Sequence, residues 1–166
     1  YKVVDDDNQA LNQLLAGEID GIEDLSLSNA SNVDGNADTK TATSFSYNVE
    51  ELFFNTLDEH FSDEHVRRAL AMAIDRESLT KALTFGYAEI ANTVLPRALL
   101  YQTNDTVNAL SYDIDAAKEE LAQSAYPDGF DTTISIASGN NTRLQEAQII
   151  QAAVSYTHLS CRRIER

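Results

Sequence analysis

Apolar residues recur at helical spacing in the middle of the chain, and capping residues divide this stretch in two. The first part carries five apolar side chains on one face: Val66, Ala69, Leu70, Ala73 and Ile74. The second carries Leu79, Ala82 and Leu83. Ser62 and Asp75 are the expected N-caps, because their side-chain oxygens can accept from free backbone N–H groups. With Gly86 as the left-handed C-terminal residue, the pattern predicts helices over residues 63–74 and 76–85.

The first quarter of the chain shows a weaker pattern of the same kind. A short helix is predicted over residues 8–17, capped by Asn8 and ended by Gly17. Residues 18–22 then resemble a turn into a short strand. Residues 26–46 are rich in Ser, Asn, Thr and Asp, which predicts the remainder of a helix followed by a surface loop.

The sequence also predicts two strands and two more helices. The apolar run at residues 52–55 predicts a short strand, and alternation of apolar and polar residues predicts another over residues 132–137. Asp113 is the expected cap of a helix over residues 114–124. A last apolar stripe predicts a helix over residues 143–153. Strands and helices alternate, so the fold class is α/β.

Several motifs occur in a fixed order between Tyr47 and Gly86. They are Phe54-Asn55, Phe61-Ser62-Asp63, Val66-Arg67-Arg68-Ala69-Leu70, Ala73-Ile74-Asp75-Arg76 and the terminal glycine. Together they resemble the middle of the bacterial extracellular solute-binding proteins of family 5, the peptide and nickel receptors of ABC importers. Residues 111–130 resemble the family as well, except that Ile114 stands where proline is usual. A weaker resemblance extends over residues 1–154.

The resemblance implies a fragment of a two-lobe, type II periplasmic-binding-protein-like fold, with a mixed sheet and flanking helices. Residues 1–46 would be part of the first lobe and residues 47–154 part of the second, with a solute held as the lobes close. It also implies capture of a solute, a di- or oligopeptide, in the periplasm or at the cell surface, and delivery to an ABC permease. No cofactor is implied, and the membrane would be reached only through an N-terminal anchor outside this chain.

Tyr47, Asn48 and Glu51 are the expected ligand contacts, because residues 47–55 resemble a segment that crosses between the lobes. Tyr47 could stack on a ligand, and Glu51 could accept from a ligand ammonium group. An ordinary strand edge with polar decoration explains these residues equally well. The main charged ligand contacts of the family lie in its C-terminal half, so the isolated chain is expected not to bind solute.

Charge and composition exclude several classes of protein. The 166 residues are 43% hydrophobic, enough for a core, and the net charge is −15, which opposes binding to nucleic acid or anionic lipid. Glycines are scattered singly, without a phosphate-binding loop, and no G-x-S-x-G motif occurs. The sequence therefore predicts no enzymatic activity.

An acidic, histidine-containing stretch at residues 58–65 is the most conspicuous candidate for a metal site. Its histidines are five residues apart and lack H-E-x-x-H spacing, so a solvated acidic loop and helix start is the favoured interpretation, and no metal site is predicted. Arg67 could clamp a ligand carboxylate, but a surface or inter-helix salt bridge is the favoured interpretation.

Both ends of the chain carry unusual features. The chain begins at Tyr1 and its one methionine is Met72, which predicts an internal fragment. Residues 155–166 hold the lone Cys161 and a cluster of arginines, and they interrupt the family pattern. We expect this tail to be non-native, so that neither His158 nor Cys161 is functional.

Two alternatives share the fold. One is the ligand-sensing domain of a cytoplasmic transcription regulator, and the other is a surface protein that has lost transport. An upstream secretion or lipoprotein signal favours the receptor, whereas an upstream helix-turn-helix favours the regulator.

Overall fold

Seven helices and two strands make up the regular structure in the described part of the chain. The computed structural model describes residues 1–100 and 110–155, together with the backbone of residues 160–165. The elements in chain order are α1 (Asp7–Leu15), α2 (Leu27–Asp34), α3 (Glu59–Ser62), α4 (Glu64–Ala73), α5 (Arg76–Thr84), α6 (Ile114–Ala122), β1 (Asp131–Ile136), α7 (Asn141–Ser155) and β2 (Ser160–Glu165).

The central helix pair is confirmed, but its first cap is Asp63 rather than Ser62. Asp63 Oδ1 accepts from the backbone N–H of His65 at 2.8 Å. Ser62 is instead the last residue of α3, and its hydroxyl donates to the carbonyl of Glu59 at 2.8 Å. The predicted cap was wrong because a short helix already occupies the preceding residues. Asp75 caps α5 as predicted, by accepting from the N–H of Ser78 at 3.0 Å.

Two copies of the tripeptide Asp-Glu-His start α3 and α4. In each copy the aspartate is the N-cap and accepts from the histidine backbone N–H, at 3.0 Å for Asp58 and 2.8 Å for Asp63. The glutamate then lies in the first turn, where the helix dipole favours a negative charge. Asp63 and Glu64 therefore form the helix start that the sequence indicated, whereas Asp58 and Glu59 start α3, which it did not indicate.

Helix α5 differs from its predicted form at its end and along its apolar stripe. The left-handed conformation begins one residue early, at Phe85 with φ of 54°, and continues at Gly86 with φ of 89°. None of the α5 residues is fully buried, and Ala82 is exposed. Leu79 is half-buried and packs against the core cluster. The stripe is shallow because α5 packs on α7 from one side of the core.

The core lies where α4, α6 and α7 meet. It consists of Val66, Ala69, Leu70, Ile74, Leu121, Ile150 and Val154. Val66 and Leu121 are the largest of the side chains that are almost completely buried. Asp113 caps α6 by accepting from the N–H of Ala116 at 3.0 Å, which confirms the predicted cap. These helices bury the apolar faces that the sequence pattern predicted.

The sheet consists of β1 and β2 in parallel, joined through α7. Asp131 is opposite Ser160 and Ile136 is opposite Glu165. A parallel pair needs a crossover connection, and α7 supplies it. Along β1, half-buried and exposed residues alternate, with Thr132, Ile134 and Ile136 on the half-buried side. The predicted strand over residues 132–137 is thus confirmed to within one residue at either end.

Three predictions near the N-terminal side of the chain were wrong. Asp6, not Asn8, caps α1, because its carboxylate reaches the N–H of Gln9 at 2.7 Å. After Gly17 the chain turns back, and the N–H of Glu18 donates to the carbonyl of Gln13 at 2.8 Å. Residues 18–22 therefore form bends and irregular chain instead of a strand.

The third wrong prediction is the strand at residues 52–55, where the structure has no strand. Extended chain becomes a strand only when its backbone groups pair with a neighbouring strand. Residues 49–53 and the second half of β1 instead line the same cleft. Phe54 does pack against the core cluster and stacks on Phe61, with ring centroids 5.4 Å apart.

Candidate functional site

The cleft beside β1 is the candidate ligand-binding site. Its volume is about 270 Å³, and residues 49–53 and 134–137 are part of its lining. The first turns of α7 contribute Arg143, Glu146 and Ala147 to its wall. The cleft thus combines apolar and charged side chains from three parts of the chain that are far apart in sequence.

The structure places only one of the three predicted ligand contacts in this cleft. Glu51 is half-buried and lines it. Tyr47 is 69% exposed, and neither it nor Asn48 is part of the lining. The backbone N–H of Asn48 donates to Ser46 Oγ at 3.1 Å, and Asn48 is exposed. Tyr47 and Asn48 are therefore exposed and lie outside the cleft lining, before Glu51 in the chain.

Charged side chains concentrate at one side of the cleft. Arg143 Nε is 2.7 Å from Glu50 Oε1, and Arg143 Nη2 donates to Glu50 Oε2 at 3.4 Å. Burial, followed by repulsion from Glu50, raises the pKa of the Glu146 carboxyl, while Arg143 opposes the rise. Three carboxylates, those of Glu50, Glu51 and Glu146, and one guanidinium line the cleft. The local field therefore favours a cationic group such as an ammonium.

Sequence reasoning missed Arg143 and Glu146 as residues of this cleft. Their separation by three positions on α7 places both on one helix face, which is a detectable signal. Their partner Glu50 is 93 residues away from Arg143, and no local pattern connects them.

The two histidines of the acidic stretch have structural partners. His60 Nδ1 is 2.9 Å from Asp58 Oδ1, and the His60 ring stacks on Phe130 with centroids 4.3 Å apart. His65 Nδ1 is 2.8 Å from Glu120 Oε2, across to α6. Among residues 1–100 and 110–155, no group of three His, Cys, Asp or Glu side chains is arranged to hold a metal ion. The stretch is therefore more closely packed than the solvated loop that the sequence indicated.

The two arginines of α4 stabilise helix ends and helix contacts. Arg67 Nη1 donates to the carbonyls of Phe61 and Ser62, at 2.7 and 2.9 Å, which are free C-terminal acceptors of α3. Arg68 Nε donates to Glu120 Oε1 at 2.9 Å. The hydrogen bond from His65, followed by that from Arg68, lowers the pKa of Glu120. Arg67 thus has a structural role, although its partners are backbone carbonyls and not the predicted carboxylate.

No helix within residues 1–100 and 110–155 is suited to span a membrane. None of the helices there has both the length and the apolar character needed to cross a bilayer.

Comparison with solved structures defines the class of fold. HbpA2 from Haemophilus parasuis matches with a TM-score of 0.86 at 24% identity, over 100% of this chain and 33% of that chain. The periplasmic binding protein DppA from Helicobacter pylori, solved with the peptide STSA, matches with a TM-score of 0.79 at 24% identity, over 99% of this chain and 32% of that chain. The chain therefore forms part of a type II periplasmic-binding-protein fold, and the predicted fold class is confirmed.

The sequence defines the family. Residues 1–155 match the bacterial extracellular solute-binding proteins, family 5 Middle, and the chain belongs to that family. The glutathione-binding protein GsiB of Salmonella choleraesuis (strain SC-B67) is 27% identical over 162 residues, which are 98% of this chain and 31% of GsiB. The chain thus spans about a third of the length of this relative.

Family membership confirms the general class of the protein. The family is made up of binding proteins rather than enzymes, and its members bind peptides or small solutes and work with ABC transporters. They are periplasmic or extracellular, which confirms the expected extracytoplasmic location. The division into lobes at residue 46, the ligand contacts and the non-native origin of residues 155–166 remain predictions.

Proposed function

We propose that this chain is part of a receptor that captures a di- or oligopeptide and delivers it to an ABC import permease. The family match over residues 1–155 is the observation that carries the proposal. DppA from Helicobacter pylori was solved with a peptide, and GsiB is named for glutathione binding, so related chains take small peptide-like solutes.

The chemistry of the cleft is compatible with such a ligand. An extended peptide presents backbone groups, an N-terminal ammonium and varied side chains. The excess of carboxylates in the lining of the cleft favours the ammonium group, and the exposed ring of Tyr47 offers an apolar surface for stacking. We assign Tyr47, Asn48 and Glu51 as ligand contacts on this basis.

We also infer that the chain performs binding and no chemistry. The charged groups of the cleft lie beside an apolar wall formed by residues such as Ile134 and Ile150. A receptor needs only reversible contacts and a conformational change that the permease can detect. The family's extracellular character favours this receptor over a cytoplasmic sensor of a transcription regulator.

Isothermal titration calorimetry with di- to pentapeptides tests the proposal. The full-length receptor that carries this segment should bind at micromolar or tighter dissociation constants, whereas residues 1–154 alone should show no measurable heat of binding. A cleft receptor holds its ligand between two lobes, and this chain supplies only part of that arrangement. Absence of peptide binding by the full-length protein would contradict the proposal, and tight binding by residues 1–154 would show that the ligand site is misplaced.

A further inference from the structure

Two contacts attach residues 34–45 to the segment that follows α5. The hydroxyl of Tyr87 donates to Asp34 Oδ2 at 3.0 Å. The guanidinium carbon of Arg97 lies 4.3 Å from the centroid of the Phe45 ring, a cation–π geometry. Each contact joins residues more than 50 positions apart in the chain.

The Tyr87 contact is reinforced from both sides. Asp34 also accepts from the backbone N–H of Thr41 at 2.8 Å and from its hydroxyl at 2.9 Å. These Thr41 bonds, followed by that of Tyr87, lower the pKa of the Asp34 carboxyl. The N–H of Tyr87 donates to the carbonyl of Thr84 at 2.9 Å, which holds the tyrosine at the end of α5.

Other contacts also hold Arg97 and its segment in place. Arg97 forms an ion pair with Glu89, eight residues earlier on the same segment. Arg76, the first residue of α5, donates to the carbonyl of Ala91 at 3.3 Å and to Asn92 Oδ1 at 3.2 Å. Residues 87–97 are therefore fixed against α5 at several points, and they present Tyr87 and Arg97 to the segment before Tyr47.

The segment that carries the proposed ligand contacts has little regular structure of its own. Residues 40–55 contain no helix or strand assignment. Phe45 lies only two residues before Tyr47 and three before Asn48. The direction in which Tyr47 leaves this segment therefore depends on contacts with other parts of the chain.

We propose that Tyr87 and Arg97 are positioning residues, which hold residues 34–45 against α5 and thereby orient Tyr47 and Asn48 toward the ligand. The effect on ligand binding rests on the proposed function, whereas the effect on the segment does not. Neither residue lines the cleft, so their influence passes through Asp34 and Phe45.

The first measurement is made on this chain and needs no ligand. Nitrogen-15 relaxation of the backbone amides is compared between the wild type, the double variant Tyr87→Phe/Arg97→Gln and the control Lys118→Gln. The control removes one positive charge at an exposed position of α6. We expect larger fast motion at residues 39–48 in the double variant alone, with α4 and α6 unchanged. Unchanged motion at residues 39–48 would overturn the inference.

The second measurement uses the full-length receptor and titration with a dipeptide. If the competent orientation falls to about a third of the population, the double variant should bind about threefold more weakly at an unchanged melting temperature. The variant Tyr47→Ala serves as the reference for direct contact. Loss of affinity in Tyr47→Ala but not in the double variant would overturn the positioning role alone. Full affinity in Tyr47→Ala would overturn the assigned ligand contact and the positioning role with it.

Discussion

The helical core and the segment from residue 45 to residue 57 differ in how far their apolar side chains are exposed to solvent. Val66 and Leu121 in the core are 0% and 2% exposed. On the segment, Tyr47 is 69% exposed and Leu57 is 96% exposed. The core closes on itself through α4, α6 and α7, whereas the segment leaves large apolar groups accessible.

The difference separates the part of this chain that stabilises the fold from the part that we propose contacts the ligand. Burial of apolar area stabilises the core by about 25 cal/mol for each Å² removed from water. Exposed apolar groups contribute little to folding, but they provide contact area for a ligand or another part of a receptor. The cleft at Glu51 is lined by residues of both regions, because it includes Glu51 and Leu52 of the segment and Ile150 of the core.

The largest expected effect comes from truncating the core. Leu121→Ala should lower the free energy of unfolding by about 2 to 5 kcal/mol, because it leaves a cavity between α4 and α6. Leu57→Ala is the matched control and should change it by less than about 0.5 kcal/mol. Urea denaturation followed by circular dichroism measures both. Similar losses for the two variants would remove the distinction between core and segment.

Loss of a helix cap should have an intermediate effect. Asp75→Ala removes the acceptor for the N–H of Ser78 and should cost about 0.5 to 2 kcal/mol of unfolding free energy. Asp75→Asn can keep the cap and serves as the control. Ligand affinity of the full-length receptor should stay the same in both variants. A large loss of affinity at an unchanged melting temperature would instead make Asp75 a ligand residue.

A smaller, pH-dependent effect is expected at Asp63. The backbone N–H of Ala125, which donates to Asp63 Oδ2 at 3.0 Å, is the main cause of the lowered pKa of this carboxyl. Its stabilising contribution is therefore present above the unfolded pKa of about 3.9 and is lost as the pH falls through the lower folded value. Asp63→Asn keeps one side-chain oxygen as an acceptor and replaces the other by an amide group. It should lower the free energy of unfolding by about 1 kcal/mol near pH 6.

Thermal denaturation from pH 6 to pH 2 gives the required comparison for Asp63. The difference between the wild type and Asp63→Asn should shrink toward acidic pH, since the protonated aspartate loses the same contact. Both variants lose most of their negative charge at acidic pH, since the chain has a net charge of −15. Comparing the stability difference between them removes this shared effect. A difference that stays constant to pH 2 would show that the Ala125 contact does not depend on ionisation.

The smallest effect is expected at the cleft, at Glu146. Burial raises the pKa of this carboxyl in the folded chain, so its ionised form opposes folding above that pKa. Glu146→Gln should therefore stabilise the chain slightly at pH 7, by less than about 1 kcal/mol, and the gain should vanish below the unfolded pKa of about 4.3. Exposed Glu119→Gln is the control. A loss of stability in Glu146→Gln at pH 7 would contradict this account.

Local signals in the sequence predicted the helices well. Asp75 and Asp113 cap their helices as expected, because capping depends only on neighbouring residues. The Ser62 cap was wrong because α3, a single turn capped by Asp58, was not recognised. Predicted strands at residues 18–22 and 52–55 were wrong because a strand requires a partner, which a local pattern cannot supply.

The candidate site was predictable only in part, and for the same reason. Resemblance to the family directed attention to Tyr47, Asn48 and Glu51, but only Glu51 lines the cleft. Its other charged residues are brought together by the crossover through α7, which places Arg143 beside Glu50. Contacts of this kind depend on the tertiary fold and leave no trace in short stretches of sequence.

Peptide titration of Glu51→Gln in the full-length receptor tests the central claim most directly. That claim is that the segment at the border of the core contacts the ligand. A hydrogen bond to a charged group contributes about 1.5 to 3 kcal/mol, so its loss corresponds to a dissociation constant about 10- to 150-fold higher. The account predicts this weakening at an unchanged melting temperature, with Glu119→Gln binding as the wild type does. Wild-type affinity in Glu51→Gln would contradict the account.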